Sequence, residues 1–272
     1  MDKPRVSVII PVYNGEKKIE ACIRSVFAQK MTDMEIIAVD DGSRDRTGVL
    51  LDRLAAEDRR LKVIHQENAG AAAARNRGLE ESRGEYIRFV DADDRLLENG
   101  IQPMVEAMEK ENCQLVIGAY TQLLCGKRQQ KNLYGPDAAV QAEDALRHMN
   151  PRSNSFYYGV LWNKLFRGDI IRQKKIRFRK ELKLAEDFTF VCHYMCYVER
   201  VYYLSEAVYE YYRNGSGLTM QHCMDCVKHP LANCKLKKFL YDQLKHLYVE
   251  KGVYPRYRRT LWLYLFRITL TN

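Results

Sequence analysis

The chain has 272 residues, enough for one large α/β domain with an appendage or for two small domains. Apolar residues make up 46% and charged residues 29%, which argues against a disordered chain, and no run approaches the ~18 apolar residues that cross a bilayer. The net charge of +9 is uneven, because residues 221–272 hold ten Lys/Arg against three Asp/Glu; that basic tail suits either a polyanion or a solvated helix surface.

Val6 to Ile10 is a short apolar run stopped by Pro11 and reads as a buried parallel strand. Ile19, Ile23, Val26 and Phe27 recur at helical spacing, which predicts an amphipathic helix over 16–29. Glu35 to Val39 predicts a second strand, ended by Asp40-Asp41-Gly42-Ser43, and a helix over 45–58 carries Val49, Leu50 and Leu54 on its face. Leu61 to Ile64 is a third strand, residues 70–82 an Ala-rich helix, and Tyr86 to Val90 a fourth strand that runs into Asp91-Ala92-Asp93-Asp94. A helix near 100–111 and a strand near 114–118 complete the series. Strands alternating with helices imply a parallel sheet with right-handed crossovers, whose ligands bind beyond the carboxyl ends of the strands. Three polar segments, Pro11 to Asn14, Asp40 to Ser43 and Asp91 to Asp94, are thereby expected on one edge.

Beyond residue 119 the rhythm changes. Residues 119–135 look irregular or hairpin-like, 137–149 form a short helix, and 153–178 are aromatic and basic without a clean period. A helix over 185–198 precedes a Tyr-rich stretch over 200–213 that reads as a hairpin, and the tail from about 221 is helical. Eight cysteines sit mostly in apolar runs, where a free thiol behaves as a small hydrophobe. No charged-then-apolar leader opens the chain, so a reducing compartment without structural disulfides is expected. The cluster His222-Cys223-x-x-Cys226-x-x-His229 fits no standard zinc framework well.

The chemistry gathers at the strand ends. Asp91 and Asp93, separated by one residue, suit a divalent cation that shares its shell with diphosphate oxygens and water; an acidic turn is the competing reading. Asp40 in its Asp-Gly turn has the carboxylate to accept a hydrogen bond from a uracil N–H or a ribose hydroxyl, although Asp and Gly favour turns in any case. Arg75, on an early helix turn after Asn68-Ala69-Gly70, suits a diphosphate through its planar fork, or is simply a surface charge.

Four segments, Val8-Ile9-Ile10-Pro11-Val12-Tyr13-Asn14, Val39 to Asp45, Asn68…Arg75-Asn76 and Phe89 to Asp94, resemble in order the pattern of family 2 glycosyltransferases. The resemblance covers residues 5–118 closely and implies the GT-A fold, a Rossmann-like mostly parallel sheet, with a C-terminal helical extension. It implies Pro11, Tyr13 and Asp40 at the nucleoside, Arg75 near the nucleotide, and Asp91 and Asp93 at the ribose, diphosphate and metal (Mn²⁺ or Mg²⁺). Ala185-Glu186-Asp187 looks like the family's E-D motif, with Asp187 as general base; an acid in a first helical turn, favoured by the helix dipole, is the alternative. Trp162-Asn163-Lys164 resembles an acceptor-side segment, so Trp162, Lys164 and Glu186 become acceptor candidates, although Trp162 and Phe166 at i and i+4 also read as core. Tyr211-Tyr212-Arg213 resembles the loop that closes over the diphosphate, with Arg213 as the contact.

The expected organisation is a nucleotide-sugar-binding subdomain over 1–118, an acceptor-binding subdomain with the base over 119–219, and a basic helical extension over 220–272. The implied activity is inverting transfer from a nucleotide-diphosphate sugar, a UDP-sugar by expectation, to a glycan or lipid-linked acceptor in cell-surface polysaccharide or glycoconjugate synthesis. A nucleotidyltransferase acting on sugar phosphates is disfavoured by Pro11-Val12-Tyr13-Asn14 where a Gly-rich basic loop would stand. A nucleic-acid-binding protein leaves the acids without purpose, and a non-catalytic nucleotide-sugar-binding relative is weakened by the presence of every expected acid. The expected location is the cytoplasm. Peripheral contact with the anionic inner face of the plasma membrane is raised by Leu236, Phe239, Leu240, Leu244 and Leu247 among Lys235, Lys238 and Lys245, and by Arg256, Arg258 and Arg259 before Leu261 to Phe266.

Overall fold

The computed structural model describes residues 3–124, 126–132, 135–147, 149, 158–182, 185–212 and 230–261. Its centre is a ten-stranded sheet in the order β3-β2-β1-β4-β9-β6-β10-β5, with β7 paired to β6 and β8 to β10. The first four strands in space are the expected ones: β1 (Val6–Val12), β2 (Met34–Asp40), β3 (Leu61–His65) and β4 (Tyr86–Phe89), all parallel. Their runs are apolar rather than alternating because both faces of the sheet are covered. Val6, Val8, Ile10 and Val12 point into a core shared with α1 (Ile19–Phe27), α2 (Thr47–Glu57) and α4 (Gln102–Lys110). Ile9, Ile87 and Phe89 point into a second core beneath α3 (Ala71–Glu81). Gly78 is the residue that lets α3 lie this close, since a Cβ there would come within 2.4 Å of Ile9 Cγ2.

The second half departs from its expected layout in four places. β6 (Leu115–Leu124) runs on past residue 118, so the expected subdomain boundary falls inside one strand, and β7 (Lys127–Lys131) folds back on it as the hairpin. The aperiodic 153–178 stretch hides β9 (Lys164–Arg167), which inserts antiparallel between β4 and β6; four residues buried among neighbours leave no period to read. Residues 138–141 are strand β8 and only 142–145 are helix α5. The Tyr-rich stretch is one strand, β10 (Arg200–Tyr212), and not a hairpin. It zips parallel to β6, and register shifts between Leu204 and Ala207 and between Ala207 and Tyr209 absorb the irregular pattern that suggested a turn. The short β5 (Arg95–Leu96) pairs with the far end of β10.

After β9 come α6 (Gly168–Gln173) and α7 (Glu186–Met195), and α8 (Pro230–Glu250) carries the basic tail. Leu244, Leu247 and Tyr248 of α8 are buried in the second core with Phe190, Tyr194 and Val198, and Tyr248 donates its hydroxyl to the Leu146 carbonyl at 2.8 Å. The leucines that suggested a membrane-facing stripe therefore bury, at Leu244 and Leu247, against the protein itself. No helix among the described residues is long and apolar enough to cross a membrane.

Truncating a docked side chain tests this arrangement. Leu247→Ala should cost about 2–5 kcal/mol in denaturant unfolding, while Val249→Ala, half-exposed on the same helix, should stay within about 0.5 kcal/mol. Equal stability of the two variants would show that α8 does not dock on the body.

Candidate active site

The three polar segments meet as expected. The Asn14 N–H donates to Ser43 Oγ at 2.9 Å, Asn14 Oδ1 accepts the Arg44 N–H at 2.8 Å, and the Asp41 N–H donates to the Val12 carbonyl at 2.9 Å. Cys22 Sγ reaches the Asp91 carbonyl, which ties α1 to the third segment. Tyr13 is left half-exposed at the rim, and Pro11 partly so.

Two adjacent aspartates do different work. Asp41 is buried and spends its carboxylate on the Gln66 amide and on the Ala69 and Gly70 N–H groups at 2.6–2.9 Å, which fixes the loop before α3. Asp40 accepts the Ser43 N–H on Oδ1 and faces His65 Nδ1 with Oδ2, both at 3.0 Å. Gly42 between Asp41 and Ser43 has φ +72, and a Cβ there would sit 2.7 Å from the Asn68 backbone N.

The acids after β4 also divide. Asp94 is 1% exposed, accepts the Tyr209 hydroxyl at 2.9 Å and the Tyr212 N–H at 2.7 Å, and burial holds its carboxyl well above the usual range. Tyr209 in turn accepts the Asp91 N–H at 3.1 Å, so one hydroxyl from β10 shapes the whole turn. Asp93 is the outermost acid, its side chain 56% exposed, with Lys18 Nζ 3.8 Å away.

Arg75 sits at the centre. Its guanidinium is 7% exposed and meets three carboxylates: Asp91 Oδ1 at 3.2 Å, Glu186 Oε1 at 3.1 Å and Asp187 Oδ1 at 3.0 Å. The expected diphosphate contact is thus engaged with acids, in a group that joins the end of β4 to the start of α7. Glu186 and Asp187 occupy the first turn of α7, where the helix dipole favours acids. Burial pushes the Asp187 pKa up to about 7, against the pull of Arg75 and with help from Glu186 and Asp91. Ala185, immediately before, sits at φ 64, a conformation that costs a non-glycine residue free energy and often marks functional turns.

An aromatic layer holds this geometry. Phe89 of β4 packs edge-on against Phe166, Phe178 and Phe190, and Phe178 stacks on Phe190 with centroids 4.2 Å apart. Phe89 stands two residues before Asp91 and Phe190 three after Asp187. Asn76 completes the latch, its amide donating to the Phe178 carbonyl and accepting the Phe178 N–H, both at 2.8 Å.

The acceptor candidates separate. Glu186 stays with the Arg75 ion group, its side chain 18% exposed, whereas Trp162 is 3% exposed, stacked on Tyr209 and Tyr211 with centroids 4.7 and 5.3 Å away. Lys164 is fully buried, donating to the Val160 carbonyl and Asn163 Oδ1. Neither Trp162 nor Lys164 presents surface to an acceptor; aromatic packing and desolvation make them core. Arg213 and the His222–His229 cluster lie outside the described residues. Tyr209, His65 and Lys18 had no motif to announce them; only the fold brings them to the acids.

The chain matches the family model for glycosyl transferase family 2 over residues 7–203. It belongs to glycosyltransferase family 2. The family member is 34% identical to the uncharacterised glycosyltransferase EpsJ of Bacillus subtilis, covering 79% of this chain and 63% of that protein. It is 31% identical to the poly(ribitol-phosphate) β-N-acetylglucosaminyltransferase TarP of Staphylococcus aureus, covering 76% of this chain and 62% of that one. Among solved structures, S. aureus TarS 1–349 in complex with UDP-GlcNAc superposes with a TM-score of 0.71 at 24% identity, over 90% of this chain and 66% of that chain. That likeness shows the shared GT-A fold. The chain spans less than two thirds of each of these three relatives.

Arg75→Met leaves three acids without their counter-charge and should destabilise the protein by about 3–5 kcal/mol at pH 8. Without Arg75 the folded-state pKa of Asp187, which burial already raises, lies further above its unfolded value, so the penalty is present at high pH and shrinks as pH falls and a proton replaces the guanidinium. Urea unfolding at pH 8 and pH 5 checks this. A loss independent of pH would mean that Arg75 supplies packing rather than charge.

Proposed function

We propose that this chain transfers a sugar, with inversion, from a nucleotide-diphosphate sugar, of the UDP class, to an acceptor hydroxyl of a glycan or lipid-linked glycan. The observation that carries this reading is the Arg75 ion group, which brings Asp187, a partly buried carboxylate, and the strand-end acid Asp91 onto one guanidinium. In this reading Asp187 is the general base: it takes the acceptor proton as the acceptor oxygen attacks the anomeric carbon and the nucleoside diphosphate leaves from the opposite side. A carboxylate whose pKa stands near 7 is matched to that task. Arg75 keeps Asp187 and Asp91 in mutual register, and Glu186 faces the acceptor. Pro11, Tyr13 and Asp40 line the nucleoside side, and Arg213 belongs at the diphosphate.

The donor set fits a hard divalent cation. Asp91 is partly exposed with only one oxygen engaged by Arg75, and Asp93 is open to solvent, whereas Asp94 has both oxygens occupied. Among the described residues no group of three or more His, Cys, Asp or Glu forms a cage, as suits Mg²⁺ or Mn²⁺ bound through one or two carboxylates and substrate phosphates. Asp91 and Asp93 would hold that cation, whose contribution is to neutralise charge on the departing diphosphate. The similarity to TarP supports a cell-envelope glycan as acceptor. The exposed Lys235, Lys238, Lys245, Arg256, Arg258 and Arg259 support peripheral contact with an anionic membrane; with Leu244 and Leu247 buried, that attraction is carried by charge.

A hydrolysis panel of UDP- and GDP-sugars with Mg²⁺ or Mn²⁺ tests the reading, and turnover is expected with at least one. On that donor, activity should rise with pH through about 7 as Asp187 loses its proton. Asp187→Asn should lower kcat by about 10²-fold or more with donor affinity nearly unchanged. Collapse of donor binding with surviving turnover would move Asp187 to the donor site.

The cation reading has its own measurement. Asp93→Asn should fold normally, because its side chain is exposed, yet calorimetric UDP binding should lose its dependence on Mg²⁺. Unchanged metal dependence would remove Asp93 from the cation site.

A further inference from the structure

His65 closes β3 between two carboxylates. Its Nδ1 lies 3.0 Å from Asp40 Oδ2 and its Nε2 3.1 Å from Asp52 Oδ1. An ionised carboxylate only accepts hydrogen bonds, so both contacts are made only when both ring nitrogens carry protons. A neutral ring would bond one acid and turn a lone pair on the other. Asp40 has little freedom otherwise: its side chain is 7% exposed and its Oδ1 is taken by the Ser43 N–H. Gly48 of α2 closes the third side, for a Cβ there would lie 3.2 Å from Asp40 Oδ2 and 3.4 Å from His65 Cε1. The charged groups that face the ring are Asp40 from β2 and Asp52 from α2, and Lys62 on its own strand is engaged by Glu81. Hydrogen bonding to Asp52 first and Asp40 second raises the imidazole pKa above its ordinary value.

We propose that His65 is a positioning residue for the donor nucleoside, its imidazolium fixing the Asp40 carboxylate in the orientation that receives the base or ribose. The proposal rests on the reading of Asp40 as a nucleoside contact. Because the folded-state pKa is raised, the clamp is complete below about 6.5, the ordinary histidine value, and is lost as pH rises through the raised value. A deprotonated ring keeps one N–H for two acids, so Asp40 Oδ2 holds its donor in only part of the molecules and loses it to Asp52 in the rest, which weakens nucleotide binding. By linkage, a nucleotide that prefers the protonated clamp must raise the His65 pKa by the same factor that protonation raises its affinity.

The test uses the full chain with Mg²⁺ and UDP or GDP as probes. Calorimetry at pH 6 and pH 8.5 gives affinities for wild type, His65→Gln and Asp40→Asn, and the ratio of wild type to His65→Gln cancels the nucleotide's own ionisation. NMR titration of the imidazole signals, with His65 assigned by its loss in His65→Gln, gives its pKa with and without nucleotide. We expect the wild type to bind several-fold more tightly than His65→Gln at pH 6, the advantage to vanish at pH 8.5, and nucleotide to raise the His65 pKa. If Asp40→Asn binds like wild type, or neither nucleotide binds wild type, the nucleoside reading of Asp40 fails and takes the proposal with it. If Asp40→Asn loses affinity while the His65 pKa ignores nucleotide, Asp40 stands and His65 is only a staple between β2, β3 and α2. Should His65→Gln not fold, His65→Asn supplies the assignment and the wild-type pKa measurement decides.

Discussion

A buried guanidinium costs several kcal/mol of desolvation unless opposite charges surround it. Arg75 meets that condition with acids drawn from two distant parts of the chain, one at the end of β4 and two in the first turn of α7. None of the four groups is stable where it sits without the others. The acids would repel one another, and the cation would lie in the protein without water or partner. The consequence is that the end of β4 and the start of α7 are held at a set spacing.

Charge alone would not aim these groups, because a Coulomb attraction has little directional preference. Aim comes from the apolar layer behind them. Phe89, Phe166, Phe178 and Phe190 lock β4, β9 and α7 together, and interiors at crystal-like density transmit little slack. On the other face of the sheet Trp162 and Tyr209 stack, and the Tyr209 hydroxyl sets the Asp91–Asp94 turn. The outer acid, Asp93, is the one left open, so rigidity falls off toward solvent.

The first four strands and their helices were legible because burial on both faces writes a dense apolar run into local sequence, and the following polar segment marks the strand end. The sharing of one edge by Pro11, Asp40 and Asp91 followed from topology. What stayed hidden depends on partners far away in the chain. β9 is four residues long and owes its existence to β4 and β6 on either side. The Tyr pattern of β10 resembled two short strands because its bulges break the alternation. Asp40 and Asp41 are adjacent and chemically identical, and only the loop that wraps Asp41 tells them apart. Lys164 and Trp162 stood as acceptor candidates because their segment resembles an acceptor-side one; here a carbonyl and an amide oxygen receive Lys164 Nζ and tyrosines receive the indole.

The insertion of β9 between β4 and β6 also dictates an order of assembly. During synthesis β4 and β6 emerge long before the strand that joins them, and β10 follows later still. Until then β4 and β6 present open edges, the kind of surface that pairs with other chains. The nascent N-terminal half therefore carries the β3-β2-β1-β4 sheet and the loops at its strand ends, while the Arg75 partners on α7 come only afterwards. Closure depends on contacts between residues far apart in sequence, which slows folding relative to local topologies. A chain released before β10 has left the ribosome would hold Arg75 and all three of its acids but lack Tyr209, whose hydroxyl sets the Asp91–Asp94 turn.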